Sequence, residues 1–152
     1  MSSYFSVLGG WMIPVTRALD AWEIELNDVL KECDVKPDDF KDQESRLSAE
    51  KTALLIDYCN RRKGRKDFSI AIAKAFHPGM FHALGYAMMS SDTLKDAFSR
   101  IARYKRVVSN TCTLNVETIG DHVHFVMDVK CYEDSMRPVL TRDCILSFLG
   151  TI

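Results

Sequence analysis

The sequence predicts an α+β domain: a helical N-terminal two-thirds of about five helices, then an antiparallel β-hairpin and a C-terminal helix. Three observations carry that expectation. Apolar residues recur at helical spacing in successive stretches between Pro14 and Val108. After Asn110 the period drops from 3.6 to 2. Finally, Gly120-Asp121 separates two alternating runs, a two-residue hairpin signal.

The first helix is expected over Pro14 to Cys33, where Val15, Ala18, Leu19, Trp22, Leu26, Val29 and Leu30 share a stripe. Pro14 suits its first turn, where a missing N–H costs nothing. Asp34-Val35-Lys36-Pro37 breaks that helix, and Pro37 to Phe40 fits one short turn. Ser48 is a good N-cap for a second helix that runs to Gly64. Asp67 caps a third, Phe68 to Phe76, stopped by His77-Pro78-Gly79. A fourth, Phe81 to Met89, is apolar nearly all round, which predicts a place at the centre of the core. Gly85 inside it costs about 1 kcal/mol relative to Ala and so signals close packing. Ser91 is the expected cap of a fifth helix, whose stripe is Leu94, Ala97, Phe98, Ile101, Lys105 and Val108. In the hairpin, Ile119 facing His122 sets Glu117 opposite His124, Val116 beside Phe125 and Leu114 beside Met127. Pro138 opens the last helix, through Leu140, Ile145, Leu146 and Leu149.

With 152 residues the chain is sized for a single domain over 1–152. Hydrophobic residues at 47% and charged ones at 27% exclude a disordered tail, a fibre or a coiled-coil rod. No apolar run approaches the ~20 residues of a membrane span, and no basic start marks a secretory signal. Five cysteines without a C-x-x-C pair indicate neither a zinc cluster nor a disulfide framework, so reduced thiols in the cytoplasm are expected. Charge is segregated. Residues 1–60 carry 6 Lys+Arg against 12 Asp+Glu, residues 61–110 carry 11 against 3, and residues 111–152 carry 3 against 6. The basic middle opens with Arg61-Arg62-Lys63-Gly64-Arg65-Lys66, which is either a solvated turn or a nucleic-acid patch.

Catalytic patterns are missing: no G-x-S-x-G, no phosphate-binding glycine loop and no H-E-x-x-H. His122-x-His124 with Glu117 across the ladder has the residue types of a metal site, but an exposed polar strand face explains it more simply. No enzyme, metal or cofactor is expected. What remains is an adaptable apolar lining with polar handles: His82, Tyr86 and Met89 fall near one face of the fourth helix at i, i+4 and i+7. Phe81, His82, Tyr86 and Met89, with Tyr104 on the next helix, are the candidate ligand-binding residues.

Leu84-Gly85-Tyr86, Ser90-Ser91, Thr93-Leu94, Ala97-Phe98, Arg100-Ile101 and Arg103-Tyr104 follow a "LGY-apolar-apolar-x-SS-x-TL" segment and an "A-(F/L)-x-R-(I/L)-x-R-Y" helix. In these motifs the chain resembles the N-terminal ligand-binding, arabinose-binding-like domain of bacterial AraC/XylS-type transcription regulators. Cys33-Asp34-Val35-Lys36-Pro37 resembles the family's glycine-leucine-aspartate-proline turn, with Cys33 or Asp34 where glycine is usual. The resemblance implies a sensor of an unknown small-molecule effector, with DNA read only through a C-terminal helix-turn-helix part that 152 residues do not contain. The chain is therefore expected to be a fragment or a natural short form. Alternatives from the residues are a ligand-free dimerisation module, or direct nucleic-acid binding through 61–66 and 100–106. The unlike charge patches and a short, open hairpin also lead us to expect a homodimer.

Overall fold

The computed structural model of the chain describes residues 5–130. Its first element is a strand the periodicity does not reveal. β1 (Ser6–Leu8) pairs antiparallel with β2 (Arg46–Ser48), Val7 facing Leu47. On its other side β1 reaches the segment before the hairpin: Val7 bridges Ser109, and the Leu8 amide donates to the Val108 carbonyl at 2.7 Å. Three-residue strands are too short to show an alternation. Behind β1 the amides of Gly9 and Gly10 donate to the carbonyls of Ser45 and Gln43. A Cβ on Gly9 would lie 2.1 Å from the Asp42 carbonyl oxygen, so only glycine permits this approach.

The helix expected over Pro14 to Cys33 is two helices. α1 (Met12–Ala21) and α2 (Leu26–Glu32) are separated at Glu23, whose φ is 52°. The Ile24 amide reaches back to the Leu19 carbonyl and the Glu23 amide to that of Asp20, which closes the helix end as a Schellman motif. Across the bend, Ile24 and Val29 share one core with Val15, Ala18 and Leu19. α2 ends the same way, with Asp34 at φ 49° and the Val35 amide on the Leu30 carbonyl. The expected short turn is α3 (Pro37–Lys41).

Ser48 precedes α4 (Ala49–Lys63), and Gly64 ends it at φ 61°. The Ser48 side chain makes no capping bond, and the first helical amide, that of Ala49, donates to the Phe5 carbonyl. Asp67 likewise does not cap α5 (Phe68–Lys74): its carboxylate receives Arg65 in a two-point contact at 2.9 and 2.5 Å. The Phe68 amide finds the buried Asn60 Oδ1 at 3.1 Å. Trp11, Met12, Leu55, Ile56, Cys59, Phe68 and Ile72 also belong to this first hydrophobic cluster.

A 3-10 turn (Pro78–Phe81) leads into α6 (His82–Met89), followed by α7 (Leu94–Tyr104) and a further 3-10 turn (Lys105–Val107). Two expectations fail here. α6 is not central: Leu84, Gly85 and Met88 are buried, while Tyr86 and Met89 are 67% and 57% exposed. The cap of α7 is Thr93, not Ser91. The Thr93 hydroxyl accepts the Asp96 amide at 3.1 Å and donates to its carboxylate at 2.6 Å, whereas Ser91 donates to the Ala87 carbonyl at the end of α6. That delays α7 by two residues and leaves Leu94 exposed.

β3 (Cys112–Ile119) and β4 (His122–Val129) form the hairpin in the expected register: Glu117 opposite His124, Val116 opposite Phe125, Leu114 opposite Met127. Gly120 supplies the positive φ, 59°, that the tight turn requires. The face bearing Cys112, Leu114, Phe125 and Val129 joins Leu8, Leu84, Met88, Ile101 and Val108 in a second cluster, with the rings of Phe98 and Phe125 5.2 Å apart. The described residues thus hold seven α-helices and two two-stranded antiparallel sheets, more helices than the five expected. The last helix expected from Pro138 to Leu149 lies outside the described residues.

Candidate functional site

The candidate residues sit where the two clusters meet. His77 enters the turn with its Nδ1 accepting the Gly79 amide at 3.0 Å, and Pro78 takes the first turn position. Phe81 follows, half-buried, packed against both clusters and 4.8 Å from the Phe76 ring. At His82 the backbone takes φ 50° and ψ −130°, a region that L side chains rarely occupy. The reversal folds α6 straight back onto the turn before it. A Cβ on Gly85 would stand 1.7 Å from the Pro78 carbonyl oxygen, so the close packing read from Gly85 is present in full.

This arrangement aims one face of α6 outward. His82 Nε2 lies 3.4 Å from Glu44 Oε1, both side chains being well exposed. The Tyr86 side chain leans toward the N-terminal end of its helix, as helical side chains do, and its hydroxyl comes over Gly79. Met89 continues the face one turn on. His82, Tyr86 and Met89 therefore share a surface, with Phe81 beneath its start. Tyr104 stands apart on α7, 49% exposed, with the Arg103 guanidinium 5.4 Å from its ring centre. Glu44 was missed by the sequence analysis. It lies in the loop before β2, and only the folded chain brings it to His82.

Phenol, imidazole, carboxylate and thioether side by side suit recognition by hydrogen bonds and apolar contact. They do not supply an activated nucleophile. The described thiols are buried: burial pushes Cys59 up to about 12, and burial, then Glu32, raises Cys33. Such thiols are poor nucleophiles near neutral pH. His122 and His124 stand on an exposed strand face with Glu117, and among the described residues no group of three His, Cys, Asp or Glu is placed to hold a metal. In the basic run, Arg61 pairs with Asp57 at 2.8 Å, and Arg65 pairs with Asp67 while lying 4.7 Å over the Trp22 ring.

The exposed face of α6 presents hydrogen-bonding and apolar side chains of the kind that regulatory, ligand-binding domains use. The model of one such family, the arabinose-binding domain of AraC transcription regulators, N-terminal, matches residues 24–152. The chain belongs to that family. It is a family of ligand-sensing regulatory domains and not an enzyme family. No individual curated protein matches the chain significantly. Among the described residues no helix is long and apolar enough to cross a membrane.

Proposed function

We propose that this chain is the effector-sensing domain of an AraC-type regulator and that its small-molecule site is built on Phe81, His82, Tyr86 and Met89, with Tyr104 at its margin. The observation that carries this reading is the position of Phe81. It packs against both hydrophobic clusters, directly beside the exposed recognition face and the strained His82 backbone. An occupant that contacts this face in one arrangement of the clusters better than in another shifts the population between them, and with it an attached DNA-binding domain. The test is a thermal-shift screen of sugars, amino acids, fatty acids and aromatic acids. A true effector raises the apparent melting temperature by an amount that grows with the logarithm of its concentration above Kd. His82→Ala and Tyr86→Ala, both at exposed positions, abolish that shift while the unliganded protein melts nearly as before. A screen in which shifts survive both substitutions moves the site elsewhere.

Self-association is the second part of this reading. Among the described residues the hairpin sheet has two strands, and Ile119, Val123 and Val126 on it are exposed. Open edges and apolar side chains of this kind are ordinarily covered. We expect a homodimer burying more than about 1,000 Å². Light scattering over a dilution series reads it, and a monomer mass at all concentrations refutes it.

A further inference from the structure

The outward side of α7 and of the 3-10 turn that follows it carries a row of cations that the sensing role does not use. Lys95, Arg100, Arg103 and Arg106 are all exposed, and none of them takes part in an ion pair among the described residues. The row cannot turn inward. Ala97, Phe98 and Ile101 on the opposite side of the helix hold it against the hairpin and the second cluster. From Arg100 to Arg106 the row covers about 10 Å along the axis of α7 and its 3-10 extension.

Two features raise its potential further. The negative end of a helix normally offsets cations beside it. Here the Arg46 guanidinium caps the 3-10 turn that extends α7, donating to the carbonyls of Val107 at 2.6 Å, Val108 at 3.2 Å and Arg106 at 3.5 Å. Arg46 therefore neutralises the pole and brings a fifth positive charge to it. The only acidic residue on α7, Asp96, is held at the opposite end by Thr93. Most acidic residues of the first third lie on α1, α2, α3 and the loops beside them, which pack in the first cluster, whereas α7 belongs to the second; of the other three, Glu44 stands beside His82, Asp57 on α4 pairs with Arg61, and Glu50 opens α4. The basic run at 61–66 is different, since Arg61 and Arg65 are committed to Asp57 and Asp67.

We propose that this face of α7 docks on the phosphate backbone of duplex DNA, independently of base sequence. Exposed, unpaired arginines on a rigid helix are the chemistry that phosphate contacts require. In a family of transcription regulators the duplex is the polyanion at hand. The face adds orientation and affinity and leaves base readout to other parts of a regulator.

The experiment measures anisotropy of a labelled random-sequence duplex of about 25 base pairs with the full 152-residue chain, from about 20 to 150 mM salt. With three to four phosphates contacted, log affinity falls with log salt at a slope near −3. The triple variant Arg100→Gln, Arg103→Gln, Arg106→Gln flattens the slope to about −1 or less, whereas the triple Arg→Lys variant keeps it, because phosphate needs charge rather than a guanidinium. All three side chains are exposed, so unchanged circular dichroism and melting establish that the variants fold. The proposal is overturned if wild-type shows no binding at low salt. It is equally overturned if the slope follows Arg62→Gln, Lys63→Gln, Lys66→Gln instead. A third contrary result is a glutamine triple variant that loses self-association but not DNA, which would make α7 a protein contact. None of these outcomes touches the thermal-shift test of effector binding.

Discussion

A hydrogen atom is all that fits on the Cα of Gly85 where α6 meets the Pro78 carbonyl. Substitution by Ala must push α6 off the 3-10 turn, and overpacking of a backbone contact costs about 2 kcal/mol or more. Denaturant unfolding of Gly85→Ala should show a lower midpoint with an unchanged slope. Helix propensity alone predicts the opposite sign, so the measurement separates the two effects cleanly. Cys59 makes the residue-scale case for pH. Burial pushes its thiol up to about 12 in the folded chain, well above the ordinary cysteine range, and so holds it protonated. Its contribution to stability is therefore fully present below pH 9 and disappears as pH rises from about 9 toward 12, at up to about 1.4 kcal/mol per unit. Cys59→Ala should flatten that alkaline limb. In native protein at pH 8, peptide mass analysis after thiol labelling should find Cys59 unmodified, and denaturant should expose it.

Helix ends in this chain are closed by tertiary and backbone partners more often than by the side chains that usually announce them. α1 and α2 both stop in left-handed conformations at Glu23 and Asp34, residues that pay about 1 kcal/mol for a geometry glycine adopts freely. Glu23→Gly should accordingly raise stability by roughly 0.5–1 kcal/mol, read as a higher denaturation midpoint. A loss of stability would mean the Glu23 side chain makes a contribution its solvent-facing position does not suggest. The same logic explains the displaced start of α7. Both Ser91 and Thr93 are competent caps by type, and the choice between them falls to the carbonyl of Ala87, which engages the Ser91 hydroxyl at 2.9 Å. Local chemistry offered two candidates, and the end of the preceding helix removed one.

For the molecule as a whole, β1 is the seam. It pairs with β2 on one side and bridges Ser109 on the other, and Leu8 sits in the second cluster while Trp11 and Met12 begin the first. Arg46, opposite Leu8 in the ladder, extends the seam to the end of α7 through three carbonyls. Arg46→Gln should cost about 2 kcal/mol, since hydrogen bonds from a charged group are worth about 1.5–3 kcal/mol. Hydrogen exchange at the Leu8 and Val108 amides should speed up by more than that of the α4 amides, because the loss is local to the seam. Equal acceleration everywhere would assign Arg46 a purely global role.

The sequence by itself determined the α+β class, the hairpin and its exact register, the tight packing at Gly85 and the family motif. Each of these is encoded within a few neighbouring residues: a period, a Gly-Asp turn, a glycine inside a helix. The α6 face was legible for the same reason, since His82, Tyr86 and Met89 are set by helical spacing alone. Their exposure was not, because an all-apolar helix carries no mark of which side its neighbours leave bare. Only the tertiary structure decided the bend at Glu23, the β1 seam, the cap of α7 and the meeting of Glu44 with His82. The seam and the Glu44–His82 meeting depend on partners dozens of residues away, which no local pattern records, whereas the bend and the cap turn on a choice between nearby competing partners that only packing settles.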